Sequence, residues 1–264
     1  MSVIFGMLLI LNVKQKTFVM FALYKKELGS FFSSLIGYLT IFVFLLLNGL
    51  MLWVFRSDFN VLDYGFADLG PFFIVSPLLF LFLIPAITMR MFAEEKRAGT
   101  MELLLTKPLS EVTIVTAKFL AGLTLAFLAI LPTIVYYITI YNAAQPVGNV
   151  DSGGVFGSYI GLLMLAAVFV SIGLFSSVIT KNQIVSFIVA IVLCFFCYLG
   201  FEILYQMDVF GNFNLFVKSL GIRHHYESVS RGVIDTRDVL YFLSVIFLFL
   251  TFTYLVLQSR KWKK

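Results

Sequence analysis

Few side chains in this sequence could carry chemistry, and most of them sit where chemistry is hard to do. Glu202 is the one acid inside a long apolar run. An ionised carboxylate in hydrocarbon is costly, so such a residue serves either a substrate or proton path, or a structural hydrogen bond or rim salt bridge. His224 and His225 are neighbours; adjacent histidines suit loop packing better than one shared ion, and only Glu227 could join them as a ligand. Cys194 and Cys197 stand at i and i+3, on one helix face with no further Cys or His nearby in sequence, and read as packing residues. No His-Glu pair, paired intramembrane Asp or Ser-His arrangement lies within the apolar runs, which disfavours an intramembrane enzyme. No Gly-x-x-x-x-Gly-Lys-Ser/Thr phosphate loop occurs anywhere in the sequence, so ATP is not bound here by that device. What remains is a dense run of charge, Arg90 to Pro108, with Glu94, Glu95, Lys96, Arg97, Gly99, Thr100, Glu102, Leu103, Leu104 and Leu105 inside it. Its chemistry is recognition rather than catalysis.

The elements that hold this run are built for lipid. The chain is 61% hydrophobic and 12% charged, with a mean hydropathy of +1.00, whereas a globular chain carries about 25% charged residues. A helix crossing roughly 30 Å of hydrocarbon needs about 20 mainly apolar residues, because lipid offers its backbone no hydrogen-bond partners. Six segments meet that demand: Phe31 to Phe55, Phe72 to Thr88, Val112 to Tyr141, Tyr159 to Ile179, Ile184 to Tyr205 and Val239 to Gln258. The fold class is therefore an all-α, six-span membrane protein forming one domain over 1–264. Pro77 and Pro85 predict kinks in the second span.

Orientation follows from Lys and Arg, which concentrate on cytoplasmic flanks. With both termini inside, only Arg56, Lys218, Arg223, Arg231 and Arg237 of the 19 basic residues fall outside, and Lys118 counts among the inner flank. The same bias accounts for the net charge of +5 through anionic inner-leaflet lipid, with no basic, aromatic-studded stripe that would fit nucleic acid. Residues 1–19 lack a basic n-region and a cleavage site; Met20 reads as the start, with the preceding stretch an over-extended frame. From Phe21 to Gly29, apolar and charged residues interleave as either a helix in the inner interface or an extension of span one, with a bend at Gly29–Ser30. Asn142 to Ser158 reads as a turn region, and Thr180 to Gln183 as a tight inner hairpin. The connection 206–238 contains an apolar stretch, Phe210 to Leu220, too short to cross; it could dip part-way into the outer leaflet as a re-entrant piece. Asp235 or Thr236 would cap the last helix. Asn48, Ser171, Ser176 and Ser177 suit contacts between spans.

Within the charged run, Arg90 and Glu94 stand one turn apart, so span two should continue beyond the membrane as an amphipathic helix. Gly99 is placed to end it in a left-handed cap. A second short helix, Met101 to Thr106, follows from a Thr100 cap and stops at Pro108. Its three leucines either meet a partner protein or lie in the inner interface beneath the charges.

The pattern Glu94-Glu95-Lys96-Arg97-x-Gly99-Thr100-x-Glu102-Leu103-Leu104-Leu105-x-x-Pro108-x-Ser110, between the second and third of six spans, resembles the cytoplasmic signature of the ABC-type-2 exporter permeases. Leu220-Gly221-Ile222-Arg223-His224-His225-Tyr226 and Arg231-Gly232-Val233-Ile234-Asp235, ahead of the last span, resemble the same family at the same place. From Met20 onward the chain is similar to the gliding-motility permease subunits. The resemblance implies a type V exporter-like transmembrane domain in a bacterial inner membrane, with residues 90–111 forming a coupling loop that docks on a separate cytoplasmic ATPase. It also implies a second permease copy or a companion membrane subunit, and ATP and Mg held by the ATPase, with no cofactor in this chain. Rival readings are a permease for another task, such as copper-enzyme maturation, and a membrane scaffold for motility or secretion machinery that moves no substrate.

Overall fold

The computed structural model describes residues 18–63, 66–105, 110–208, 211–233 and 235–259; among them there is no strand. Readings of residues 1–17 and of Pro108 lie outside that set. The chain begins with α1 (18–32), then α2 (Leu35–Trp53), α3 (Gly70–Thr88), α4 (Arg90–Arg97) and α5 (Thr100–Leu105). It continues through α6 (Glu111–Ile130), a 3-10 turn over Leu131–Thr133, α7 (Ile134–Ala143), α8 (Ser152–Ile179) and α9 (Gln183–Phe195). A π-turn over Phe196–Gly200 leads into α10 (Phe201–Gln206), and α11 (Asn214–Ser219), α12 (Ile222–Val229) and α13 (Thr236–Ser259) complete it. Among the described residues, six helices are long and apolar enough to cross a membrane: α2, α3 with α4, α6 with α7, α8, α9 with α10, and α13.

Helix α8 is the axis of the bundle. It packs against α3, α6, α9 and α13, and Leu162, Leu165, Phe169, Ile172 and Leu174 are fully buried. The outer helices α2, α9 and α13 instead present Phe42, Ile188, Phe247 and similar side chains outward, as expected where the surrounding solvent is lipid.

The element boundaries depart from expectation in two places. The bend after α1 falls at Ser33–Ser34 rather than at Gly29–Ser30. Gly37 is the glycine that the bend uses, since a Cβ there would sit 2.4 Å from the Phe31 carbonyl oxygen, whereas one at Gly29 would meet nothing. Helix α8 begins at Ser152, inside the stretch read as a turn, because Asp151 caps it by accepting from the Gly154 N–H at 2.9 Å. Its first glycines serve packing: a Cβ on Gly157 would lie 2.8 Å from the Gly232 carbonyl, and one on Gly161 would lie 2.7 Å from Val229.

Helix α3 runs through both Pro77 and Pro85. Pro77 has no N–H to give the carbonyl of Phe73, one turn earlier. That orphaned oxygen accepts instead from the buried Tyr226 hydroxyl of α12, at 2.8 Å. The 206–238 connection is thus a pair of short helices, α11 and α12, with α12 packed on α8 and α13. Asp235 caps α13 by accepting from the Arg237 N–H at 2.9 Å.

Candidate functional site

The charged run folds as a helix, a turn and a helix. Arg90 Nε reaches Glu94 at 3.2 Å along α4. Gly99, at φ +70, makes the left-handed turn, which only glycine adopts without cost. Thr100 opens α5, with Glu102 in its first turn. Met101 is buried and anchors α5 to α4, whereas Arg97, Thr100 and Glu102 are exposed. Leu103, Leu104 and Leu105 continue α5, and their side chains lie outside the described set.

What distinguishes the elbow is how firmly α4 is held. Lys118, in the second turn of α6, is fully buried. Its ammonium lies 2.8 Å from Glu27 Oε1 of α1 and 3.0 Å from Glu95 Oε2 of α4, and it donates to the Met91 carbonyl. The ammonium thus faces three oxygens on two neighbouring helices, donating to Glu27 Oε1 and the Met91 carbonyl and meeting Glu95 Oε2 as an ion pair without a hydrogen bond. Glu27 and Glu95 are only 9% and 11% exposed, so the group is an ion cluster rather than a surface pair. Lys26, at 55% exposure, closes it from the rim with a 2.6 Å bond to Glu95. Burial disfavours the Lys26 ammonium, but its hydrogen bond to Glu95 and the Glu27 and Glu95 charges outweigh that and hold its pKa above the ordinary 10.5.

The cluster adds to two readings of the sequence: Lys118, counted with the inner flank, is buried at its centre, and Glu95 of the charged run is turned into the bundle. Charge in an otherwise apolar stripe, at Glu27 and Lys118, was the available signal, but the partners are 91 residues apart and no local pattern joins them.

The other face of α4 is fixed to α8. Ser177 Oγ accepts from the backbone N–H groups of Phe92, at 2.9 Å, and Ala93, at 3.1 Å, and donates to the Met89 carbonyl at 3.0 Å. It thus satisfies first-turn donors that α4 cannot pair itself. Lys96 donates to the Val178 carbonyl at the C-terminal end of α8, where a cation is favoured by the helix dipole. Arg90 donates to Ser34 Oγ at 2.6 Å, tying α4 to the bend before α2.

The remaining candidates separate from the elbow. Glu202 lies on α10 and accepts from Gln206 at 3.3 Å, in keeping with a structural role. His225 is hydrogen-bonded on both nitrogens, Nδ1 with Asp238 at 2.7 Å and Nε2 with the Ser219 carbonyl at 2.8 Å, and stacks on Tyr241. It joins α11, α12 and α13, while His224 only edges its ring. Asn48 accepts from Ser76 at 3.1 Å, and Ser176 donates to the Ser186 carbonyl at 2.6 Å, each bonding two spans.

No curated protein matches this chain. The sequence model of the family described as ABC-2 family transporter protein matches residues 17–262, which takes in all six spans and the elbow between the second and third. This chain, a multi-pass membrane protein whose family implies a companion ATP-binding subunit, belongs to the ABC-2 family of transporter permeases.

Proposed function

We propose that this chain is the permease half of an ATP-driven exporter in a bacterial inner membrane, and that the elbow Arg90 to Leu105 receives the stroke of a separate cytoplasmic ATPase. The observation that carries this reading is the fixing of α4 on three sides: by Lys118 to α6, by Ser177 and Lys96 to α8, and through Glu95 to α1. A push on the short α5 would enter a stiff α4 and displace three elements at once, whereas a flexible loop would absorb it. The exposed Arg97, Gly99, Thr100 and Glu102 offer the ATPase its contact, and the buried Glu95 and Lys118 pass the motion on. In this reading ATP and Mg belong to the ATPase, both termini lie in the cytoplasm, and the membrane path is completed by a second permease copy or a companion subunit. The resemblance of the Glu94 to Ser110 and Leu220 to Asp235 segments favours a gliding-motility exporter over other export tasks.

The test is co-purification with a companion ATP-binding subunit, followed by ATP turnover in proteoliposomes. Reversing Arg97 and Glu102 together should release the ATPase from a folded permease. Retention of full affinity and turnover by that variant would refute the docking surface.

A further inference from the structure

At the end of the bundle away from the elbow, a cavity of about 640 Å³ opens between α3, α8, the π-turn and α12. Its wall carries charge of both signs: Arg223, Arg231, Asp68, Asp151 and Glu227. Some of this charge is already satisfied. Arg223 holds Glu227 at 2.7 Å, and Asp151 gives Oδ1 to the Gly154 N–H. Arg231 and Asp68 make no ion pair among the described residues, although both line the one cavity. Opposite charges facing one space without meeting suit a ligand that carries both.

The cavity also has an apolar side. Ile74 and Leu78 line it, on the first turns of a span, and are 57% and 41% exposed, so they lead from the charged region into the depth of the membrane. A water-soluble zwitterion would have no use for that side, whereas an amphiphile would lay its chains along it. We propose that this cavity binds a zwitterionic phospholipid from the leaflet remote from the elbow, with the phosphate on Arg231 and Arg223 and the ammonium on Asp68. The guanidinium group supplies planar paired donors to phosphate oxygens, and a carboxylate accepts from an ammonium at short range.

The binding is measured on the full chain in detergent by native mass spectrometry, with phosphatidylethanolamine, phosphatidylglycerol or O-phosphoethanolamine added as probes. Phosphatidylethanolamine should be retained over phosphatidylglycerol by about tenfold, the weight of one charge-assisted hydrogen bond. Asp68→Asn should erase that preference and Arg231→Glu should weaken retention of both lipids by about tenfold, while the melting temperature of each variant, both at exposed positions, stays within a degree or two. Arg237→Glu, outside the cavity, should leave the preference intact. Equal retention of the two lipids by the unaltered chain, an Asp68→Asn variant that still prefers phosphatidylethanolamine, or an Arg231→Glu variant that retains both lipids undiminished overturns the proposal. Binding of O-phosphoethanolamine as tight as that of the lipid overturns the lipid assignment in favour of a soluble zwitterion.

Discussion

Lys118→Met is the perturbation that most sharply separates a structural ion cluster from an incidental one. The substitution keeps most of the apolar stem while removing the ammonium, which also lies 4.9 Å from the centre of the Phe92 ring. What it removes is the buried one of the two cations that bridge Glu27 and Glu95, both about nine-tenths buried; the other is Lys26. Lys26 cannot replace it, because it is half in solvent and an exposed pair contributes only about 0–1 kcal/mol. Breaking a buried pair by deleting one partner costs about 3–5 kcal/mol, most of it the penalty of the charge left behind. Reversible unfolding in mixed micelles should therefore show a loss of about 3–5 kcal/mol for Lys118→Met. The triple variant Lys118→Met, Glu27→Gln, Glu95→Gln should recover most of that loss, since no uncompensated charge remains. A single variant within about 1 kcal/mol of wild type would mean that water already solvates the cluster, and the stiff connection from α4 to α6 would fall with it.

Four further outcomes are expected. Glu95→Lys should destabilise the chain by several kcal/mol, in contrast to the paired reversal of Arg97 and Glu102, which should leave unfolding within about 0.5 kcal/mol while abolishing ATPase capture. Tyr226→Phe should cost about 1–3 kcal/mol by orphaning the Phe73 carbonyl that Pro77 leaves free, measured by the same unfolding assay. Gly157→Leu should overpack the contact with Gly232 and cost about 1–3 kcal/mol, with increased protease cleavage near 229–233 as the local readout. Gly99→Ala should cost about 1 kcal/mol because of its left-handed backbone, and Gly99→Asn less, in a comparison of ATP turnover and melting temperature.

The six spans and the elbow were legible because lipid imposes a simple rule on sequence. Hydropathy alone located every crossing, and Gly99 and the Arg90–Glu94 pair gave the shape of the charged run from local spacing. The rest depended on contacts that local patterns cannot express. Helix α8 starts earlier than its composition suggests because Gly154, Gly157 and Gly161 pack against Gly232 and Val229, so residues that read as a turn are a close helix contact. The bend after α1 moved to Ser33–Ser34 because Gly37 and Arg90 converge on it. Lys118 resembled an ordinary flanking cation, and its place between Glu27 of α1 and Glu95 of α4 depends on packing among three helices. Pro77 was visible as an interruption, but its remedy, the Tyr226 hydroxyl, comes from 153 residues away.

The exposed tip of the elbow should lie in the cytoplasm and be covered by the ATPase. Glu102→Cys, in a chain whose Cys194 and Cys197 are replaced by Ala, can be labelled with a membrane-impermeant maleimide in spheroplasts and in inverted vesicles, with and without the ATPase subunit. The expected result is no labelling in spheroplasts, rapid labelling in stripped inverted vesicles, and protection when the ATPase is added back. Labelling in spheroplasts, or inverted vesicles that label equally with and without the ATPase, would contradict it.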